Sequence, residues 1–227
     1  MACLKNEFMK RIVGIAFALC CVCEVYAQDI KSLFVALPDS LSPLLTAVNR
    51  ADFGDFLASG MKAEVKNRFG KESEMTELTD DYLRVELTSA SVLEMKLLPV
   101  NDSVKTVCVV HTYMAPVADS DVSFYTVSWE ELPSGRFLTL PDESDFYLVP
   151  QTDAQANSLN NLRAYADMYL LKAELSASEP VISFVYSTPE YMDEETAGKL
   201  KPYLRPAPIR YEWRNGRFVK ADEGKQE

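Results

Sequence analysis

From Tyr82 to Trp129 the chain alternates apolar and polar side chains in four successive runs, and this pattern constrains the fold more than any other feature. Leu83, Val85 and Leu87 alternate with Arg84, Glu86 and Thr88, and Leu93, Met95 and Leu97 alternate with Glu94 and Lys96. Val104 to Tyr113 is almost continuously β-branched or aromatic, and Val122 to Trp129 alternates again. A period of two sends one set of side chains to a buried face and the other to water, so four consecutive antiparallel strands are expected. The breaks at Ser89 to Ser91, Pro99 to Ser103 and Pro116 to Asp121 carry turn chemistry.

The N-terminal residues read as an address. Lys5, Lys10 and Arg11 precede an apolar run from Ile12 to Val22, and Val25-Tyr26-Ala27 supplies small residues where a signal peptidase reads. A signal peptide over residues 1–27 is expected, cleaved after Ala27. The apolar run is short for a membrane span, and Glu24 interrupts its end. A lipid anchor on Cys20, Cys21 or Cys23 is the less favoured alternative, because Leu19, Cys20 and Val22 stand where a lipobox carries a small residue.

Cleavage removes four of the five cysteines and leaves Cys108, so the remaining 28–227 must be held by its core without an internal disulfide. Cys108 sits in the most apolar strand and is expected to be buried and inert. The net charge is −11, and it becomes −12 once a segment with three basic and two acidic residues is lost. That sign argues against nucleic acid and anionic lipid as partners.

Before the meander, Ile30 to Leu37 is apolar, and Ser40 is expected to cap a helix beginning at Leu41, with a second helical piece from Asp52 to Ser59. A short strand is expected within Met61 to Phe69. After the meander, Asp153 is expected to cap a helix turning Leu159, Leu162 and Tyr165 inward, with Asn157, Asn160 and Asn161 outward. Tyr169 to Leu175 and Val181 to Ser187 read as a hairpin, and a short helix follows Asp193. Ile209 to Trp213 and Phe218 to Lys220 flank Asn215-Gly216, a pair suited to a two-residue turn. The fold class is therefore α+β on antiparallel sheet. Two helix-plus-four-strand lobes are expected, 28–132 and 133–227.

Leu37-Pro38-Asp39-Ser40, Gly60 through Val65, Leu78 through Tyr82, and the tail Tyr211 through Phe218 resemble a family of uncharacterised exported proteins of Bacteroidales-type bacteria, a domain of unknown function. The resemblance implies a Gram-negative periplasm or cell surface and supplies no catalytic residue. The element order is similar, by analogy alone, to the β-lactamase-inhibitor-protein fold. Asp39-Ser40-Leu41 and Asp102-Ser103-Val104 also resemble the O-glycosylation acceptor pattern of such bacteria, making Ser40 and Ser103 candidate attachment sites.

Chemistry-bearing residues are sparse. His111 is the single histidine, and alternation places it on the face opposite Cys108, so neither a metal centre nor a relay through both is expected. Ser59-Gly60-Met61-Lys62 matches a nucleophile motif of penicillin-binding enzymes without its companion elements and reads as coincidence. Acidic pairs at Asp80-Asp81, Asp119 and Asp121, Asp142 to Asp145 and Asp193 to Glu195 read as turns and helix caps. No phosphate loop or dinucleotide fingerprint is present, so no cofactor is expected. Tyr211, Trp213 and Phe218 remain as a weak binding candidate, since a terminal hairpin bearing rings can form a recognition edge, although alternation can equally turn them into the core.

The expected function is a non-catalytic binding or assembly module of the periplasm or surface, engaging a protein or glycan. A hydrolase using acidic residues and a small-molecule or lipid carrier are the rivals. Intact-mass analysis of the chain from its native host is expected to show a mature form starting at Gln28, with added mass at Ser40 or Ser103. A diacylated cysteine at 20, 21 or 23 would refute the soluble form, and full-occupancy unmodified peptides over both serines would end the glycosylation reading.

Overall fold

The structure, a computed structural model, describes residues 29–221. The expected signal peptide over 1–27 and its four cysteines lie outside the described residues. No described helix is long and apolar enough to cross a membrane.

The chain opens with helices α1 (Ile30–Val35) and α2 (Ala47–Ala58). Seven strands follow: β1 (Glu64–Lys66), β2 (Glu72–Leu78), β3 (Tyr82–Thr88), β4 (Ser91–Pro99), β5 (Lys105–Tyr113), β6 (Asp119–Thr126) and β7 (Glu131–Leu132). They pair antiparallel in chain order, as a pure meander. Next come α3 (Asp153–Arg163), the hairpin β8 (Leu171–Leu175) and β9 (Val181–Tyr186), and the short helices α4 (Thr188–Tyr191) and α5 (Glu194–Leu200). The terminal hairpin β10 (Ile209–Arg214) and β11 (Arg217–Lys220) completes a second sheet of order β11-β10-β9-β8. Its turn has Asn215 at φ 51° and Gly216 at φ 77°, the left-handed pair that the Asn-Gly dipeptide favours.

The α+β class and the antiparallel meander match the sequence reading, but the two equal four-stranded lobes do not. The first sheet has seven strands because β1, β2 and β7 extend it. β2 carries three glutamates and turns only Ser73 and Met75 fully inward, too few apolar positions to announce a strand. The proposed division at residue 132 also runs through a shared core. Cys108, Val110 and Phe124 from the first sheet pack with Phe184, Tyr211, Trp213 and others from the second. A separate cluster on the opposite face joins Leu83, Val85, Leu93 and Met95 to Ile30, Phe34 and Phe53 of α1 and α2.

No helix begins at Leu41. The carbonyls of Leu37 and Leu45 are held instead by the guanidinium of buried Arg50, at 2.6 and 2.7 Å, which also meets Asp39 at 3.3 Å. The guanidinium thus ties both ends of the loop, Leu37 and Leu45, to one point and holds the segment between them in a non-helical path. Helix α2 starts at Ala47 behind Thr46, which forms a capping box with Asn49.

The two-sheet arrangement overturns the simplest reading of alternation. Glu94 and Lys96 do not reach water: they are 3 % and 1 % exposed, on the β4 face that the second sheet covers. Lys96 Nζ donates to the Ala177 carbonyl at 3.1 Å, pairs with Asp81 at 3.2 Å and lies 5.6 Å from the centre of the Tyr82 ring. The Tyr82 hydroxyl donates to Glu94 at 2.7 Å.

Burial pushes the Glu94 carboxyl from its ordinary 4.5 up to about 7, with the charge of Glu174 adding to the rise and the Tyr82 hydroxyl and Leu175 N–H opposing it. The folded state therefore holds this proton more tightly than the unfolded state. The associated stability is full below about pH 4.5 and is lost as pH rises through about 7, on the order of 3 kcal/mol across that window. In Glu94→Gln, which keeps an oxygen for the Tyr82 hydroxyl, this decline should vanish. Urea unfolding between pH 4.5 and 8 checks it, and identical pH profiles for both proteins would refute it.

Candidate functional site

Two openings lie on opposite sides of the seven-stranded sheet, and a third, of about 530 Å³, lies beside β11. The larger of the first two is a groove of about 690 Å³ between α3 and the α5 end, walled by the segment 148–151. Thr152 caps α3, its hydroxyl accepting from the Gln155 N–H at 3.2 Å. Asp193 caps α5 by accepting from the Thr196 N–H at 3.0 Å. Leu159 and Leu200 anchor the two helices in the shared core. The apolar part of its lining is Leu148, Val149, Pro150, Leu162, Pro202 and Tyr203.

The groove rim is uncharged apart from Lys199, which is paired with Glu195 at 2.5 Å. Gln155 Oε1 accepts from the Gln151 N–H, and the Gln151 amide donates to the Val149 carbonyl, so both side chains serve to hold the wall. Ser158 and Asn161, spaced three apart on α3, make no side-chain hydrogen bond among the described residues. Val149 is 76 % exposed although wholly apolar. None of the acidic pairs lines this groove.

Behind it, Glu143 accepts two bonds from Arg163, at 3.2 and 3.0 Å, and one from the Tyr147 hydroxyl at 2.8 Å. Burial opposes ionisation of Glu143, but the Arg163 and tyrosine contacts prevail and hold its carboxyl below the usual range. This pairing fixes the C-terminal end of α3 against the body of the molecule.

The smaller opening, of about 270 Å³, lies on the helical side of β5 and β6. His111 faces Asp121 directly across the strand pair, stacks on Tyr113 with centroids 4.5 Å apart, and exchanges a 3.2 Å hydrogen bond between Nδ1 and the Tyr113 hydroxyl. Desolvation lowers the His111 pKa, while Asp121 pulls it the other way.

The remaining sequence candidates fall as follows. Tyr211, Trp213 and Phe218 are 5 %, 9 % and 1 % exposed, so their rings belong mostly to the core, and Tyr211 and Phe218 also border an opening of about 530 Å³. Trp213 stacks on Phe137 at 6.1 Å, meets Phe218 edge-on at 4.9 Å, and donates its indole N–H to the Pro99 carbonyl at 2.6 Å. The alternation of β10 and β11 turned these rings inward because the first sheet covers that face. Cys108 is buried, and burial pushes its thiol pKa up. Ser40 and Ser103 sit in exposed turns. The Ser59 hydroxyl donates to the Asp55 carbonyl while Lys62 pairs with Glu64 and Glu74, so the Ser-x-x-Lys match assembles no nucleophile. Asp142 and Asp193 are helix or turn caps. No group of three or more metal-ligating side chains occurs among the described residues.

Sequence reasoning placed Asn161 outward on its helix but did not connect it to a groove. The signal that could have done so is Leu148-Val149-Pro150, an apolar pair stopped by a proline immediately before a helix cap. Trp213→Ala should cost about 3–5 kcal/mol, as expected for a large ring removed from a packed core. Chemical unfolding measures it, and a loss below about 1 kcal/mol would show that the ring is dispensable to the fold.

The structure is similar to that of a domain of an uncharacterized protein from Porphyromonas gingivalis W83, with a TM-score of 0.75 and 29% sequence identity over 85% of this chain and 98% of that one. A comparison with curated proteins gave no match. The family profile described as a protein of unknown function (DUF3256) matches residues 22–218, nearly the whole chain, and the chain belongs to that family.

Proposed function

We propose that the chain is an exported, non-catalytic binding or assembly module of the periplasm or cell surface, and that the groove between α3 and α5 receives an extended, uncharged, apolar peptide segment of a partner protein. The observation that carries this reading is the composition of the groove: an apolar lining beside the Ser158 hydroxyl and the Asn161 amide, which make no side-chain hydrogen bond among the described residues, with its lone cation already paired. A primary amide both donates and accepts, which suits the N–H and C=O of a peptide unit. An aliphatic floor suits apolar side chains projecting from the same segment. A volume of about 690 Å³ lies within the range of ligand-sized clefts. A charged partner would leave its ions unpaired there, at a cost in desolvation. The basic, apolar and small-residue order of residues 1–27 supports export.

Selection from a random heptapeptide phage library tests the reading. The wild-type protein should enrich apolar, uncharged sequences. A synthetic peptide of the enriched sequence should bind Val149→Glu and Asn161→Asp at least about tenfold more weakly, both changes lying on exposed positions that spare the fold. No enrichment over an unrelated acidic control protein, or equal affinity for both variants, would overturn it.

A further inference from the structure

The pocket beside His111 is unrelated to the groove and has different chemistry. Its floor is apolar, from Leu93 and Val109 of the sheet. One wall is Leu37, Ser40, Leu41 and Pro43, in the loop that Arg50 pins through its carbonyls. The other wall is polar and aromatic, from His111 and Tyr113 on β5 and Asp121, Ser123 and Tyr125 on β6.

These five residues fall on one sheet face because their positions alternate along paired strands, with His111 opposite Asp121 and Val109 opposite Ser123. The Ser123 hydroxyl donates to Asp121 Oδ2 at 2.8 Å, which orients the carboxyl and leaves its other oxygen uncommitted among the described residues. The hydrogen bond to Tyr113 occupies Nδ1 of His111 and leaves Nε2 for a ligand.

We propose that this pocket is a binding site for a primary alkylammonium group, with the cation at Asp121 and its carbon stem on Leu93, Val109 and the loop wall. Asp121 supplies the one formal charge of the lining, and no lysine or arginine side chain borders the pocket. An anionic head would meet that carboxyl unpaired. Desolvation keeps the imidazole inclined to neutrality, so it does not compete with the cation for Asp121. In the tautomer with hydrogen on Nδ1, the imidazole donates to the Tyr113 oxygen and Nε2 accepts from the ammonium. A volume of about 270 Å³ accommodates a short stem and excludes a bulky ligand. The net charge of −11 draws cations toward the surface as a whole. The same chemistry is carried by a free alkylamine and by a lysine side chain of a partner protein.

The single histidine provides a direct readout, the imidazole resonances of His111 in a titration followed by NMR. n-Butylammonium should shift them saturably, and butan-1-ol and butyrate at equal concentration should not. Asp121→Asn should weaken n-butylammonium binding by about tenfold or more. Tyr113→Leu, at a half-exposed ring whose loss spares the core, should weaken it severalfold and carries the test if Asp121→Asn loses a dispersed spectrum. Tighter binding of Nα-acetyl-lysine methylamide than of n-butylammonium assigns the site to a partner's lysine, and the reverse order assigns it to a free amine. Equal shifts with butan-1-ol, undiminished binding by folded Asp121→Asn, or no saturable shift with either amine would overturn the proposal.

Discussion

The fold depends on how the outer edge of β8 is closed. A strand that pairs on one side only presents a row of backbone N–H groups that must be met by something when it is buried. Here β8 crosses the first sheet, touching β6, β5 and β4, and side chains of that sheet meet its edge. Asp119 takes the Leu171 N–H at 3.1 Å and Ser120 takes the Ala173 N–H at 2.9 Å. The Leu175 N–H turns to Glu94, and Lys96 holds the following turn through the Ala177 carbonyl. The second sheet is thus attached by polar side chains standing in for a neighbouring strand, around an apolar interior. That attachment brings Trp213 and Phe218 over Phe124 and Phe137 and closes the shared core.

Buried charges of this kind contribute more to placement than to net stability. Taking Glu94 and Lys96 out of water costs free energy that their hydrogen bonds offset only in part. An apolar pair at these positions would pack as well and leave the crossing strand free to slide. Each polar partner fixes one backbone position of the hairpin, so the register of β8 against three strands is set. The helices on either side of the hairpin inherit that register. Leu159 and Leu200 reach the core from α3 and α5 only because β8 and β9 lie where they do.

These same residues explain what was legible in the sequence. The meander, the β8–β9 hairpin, the Asn-Gly turn and the helix after Asp193 were readable because each rests on local periodicity or local turn chemistry. Glu94 and Lys96 were misread for the opposite reason. Alternation reports two faces, and a charged residue on the second face signals water unless a distant segment supplies its partners. Tyr82 and Asp81 lie close in sequence, but the covering segment that includes Leu175 and Ala177 lies some eighty positions away along the chain. Arg50 is a similar case, since it gathers the Leu37 and Leu45 carbonyls across a segment where the Ser40 cap and apolar spacing favoured a helix. The groove escaped notice because Leu148 and Val149 resemble core residues, and only the fold shows that nothing covers them.

The central sheet gives the two openings separate foundations. The His111 pocket rests on the α1–α2 side, against the loop that Arg50 fixes, while Leu162 and Tyr203 of the groove pack on the core between the sheets. No side chain is common to both linings. Energetic coupling between sites requires a shared element with two arrangements, and a seven-stranded sheet buried on both faces at β4 is poorly suited to be one. Substitutions in the two sites should therefore add rather than couple. A chain with two such openings on opposite sides can hold two different chemical groups at once, one cationic and one apolar. Under the proposed binding role, two such contacts would form without displacing each other, and their effects on a partner able to reach both would multiply through effective concentration.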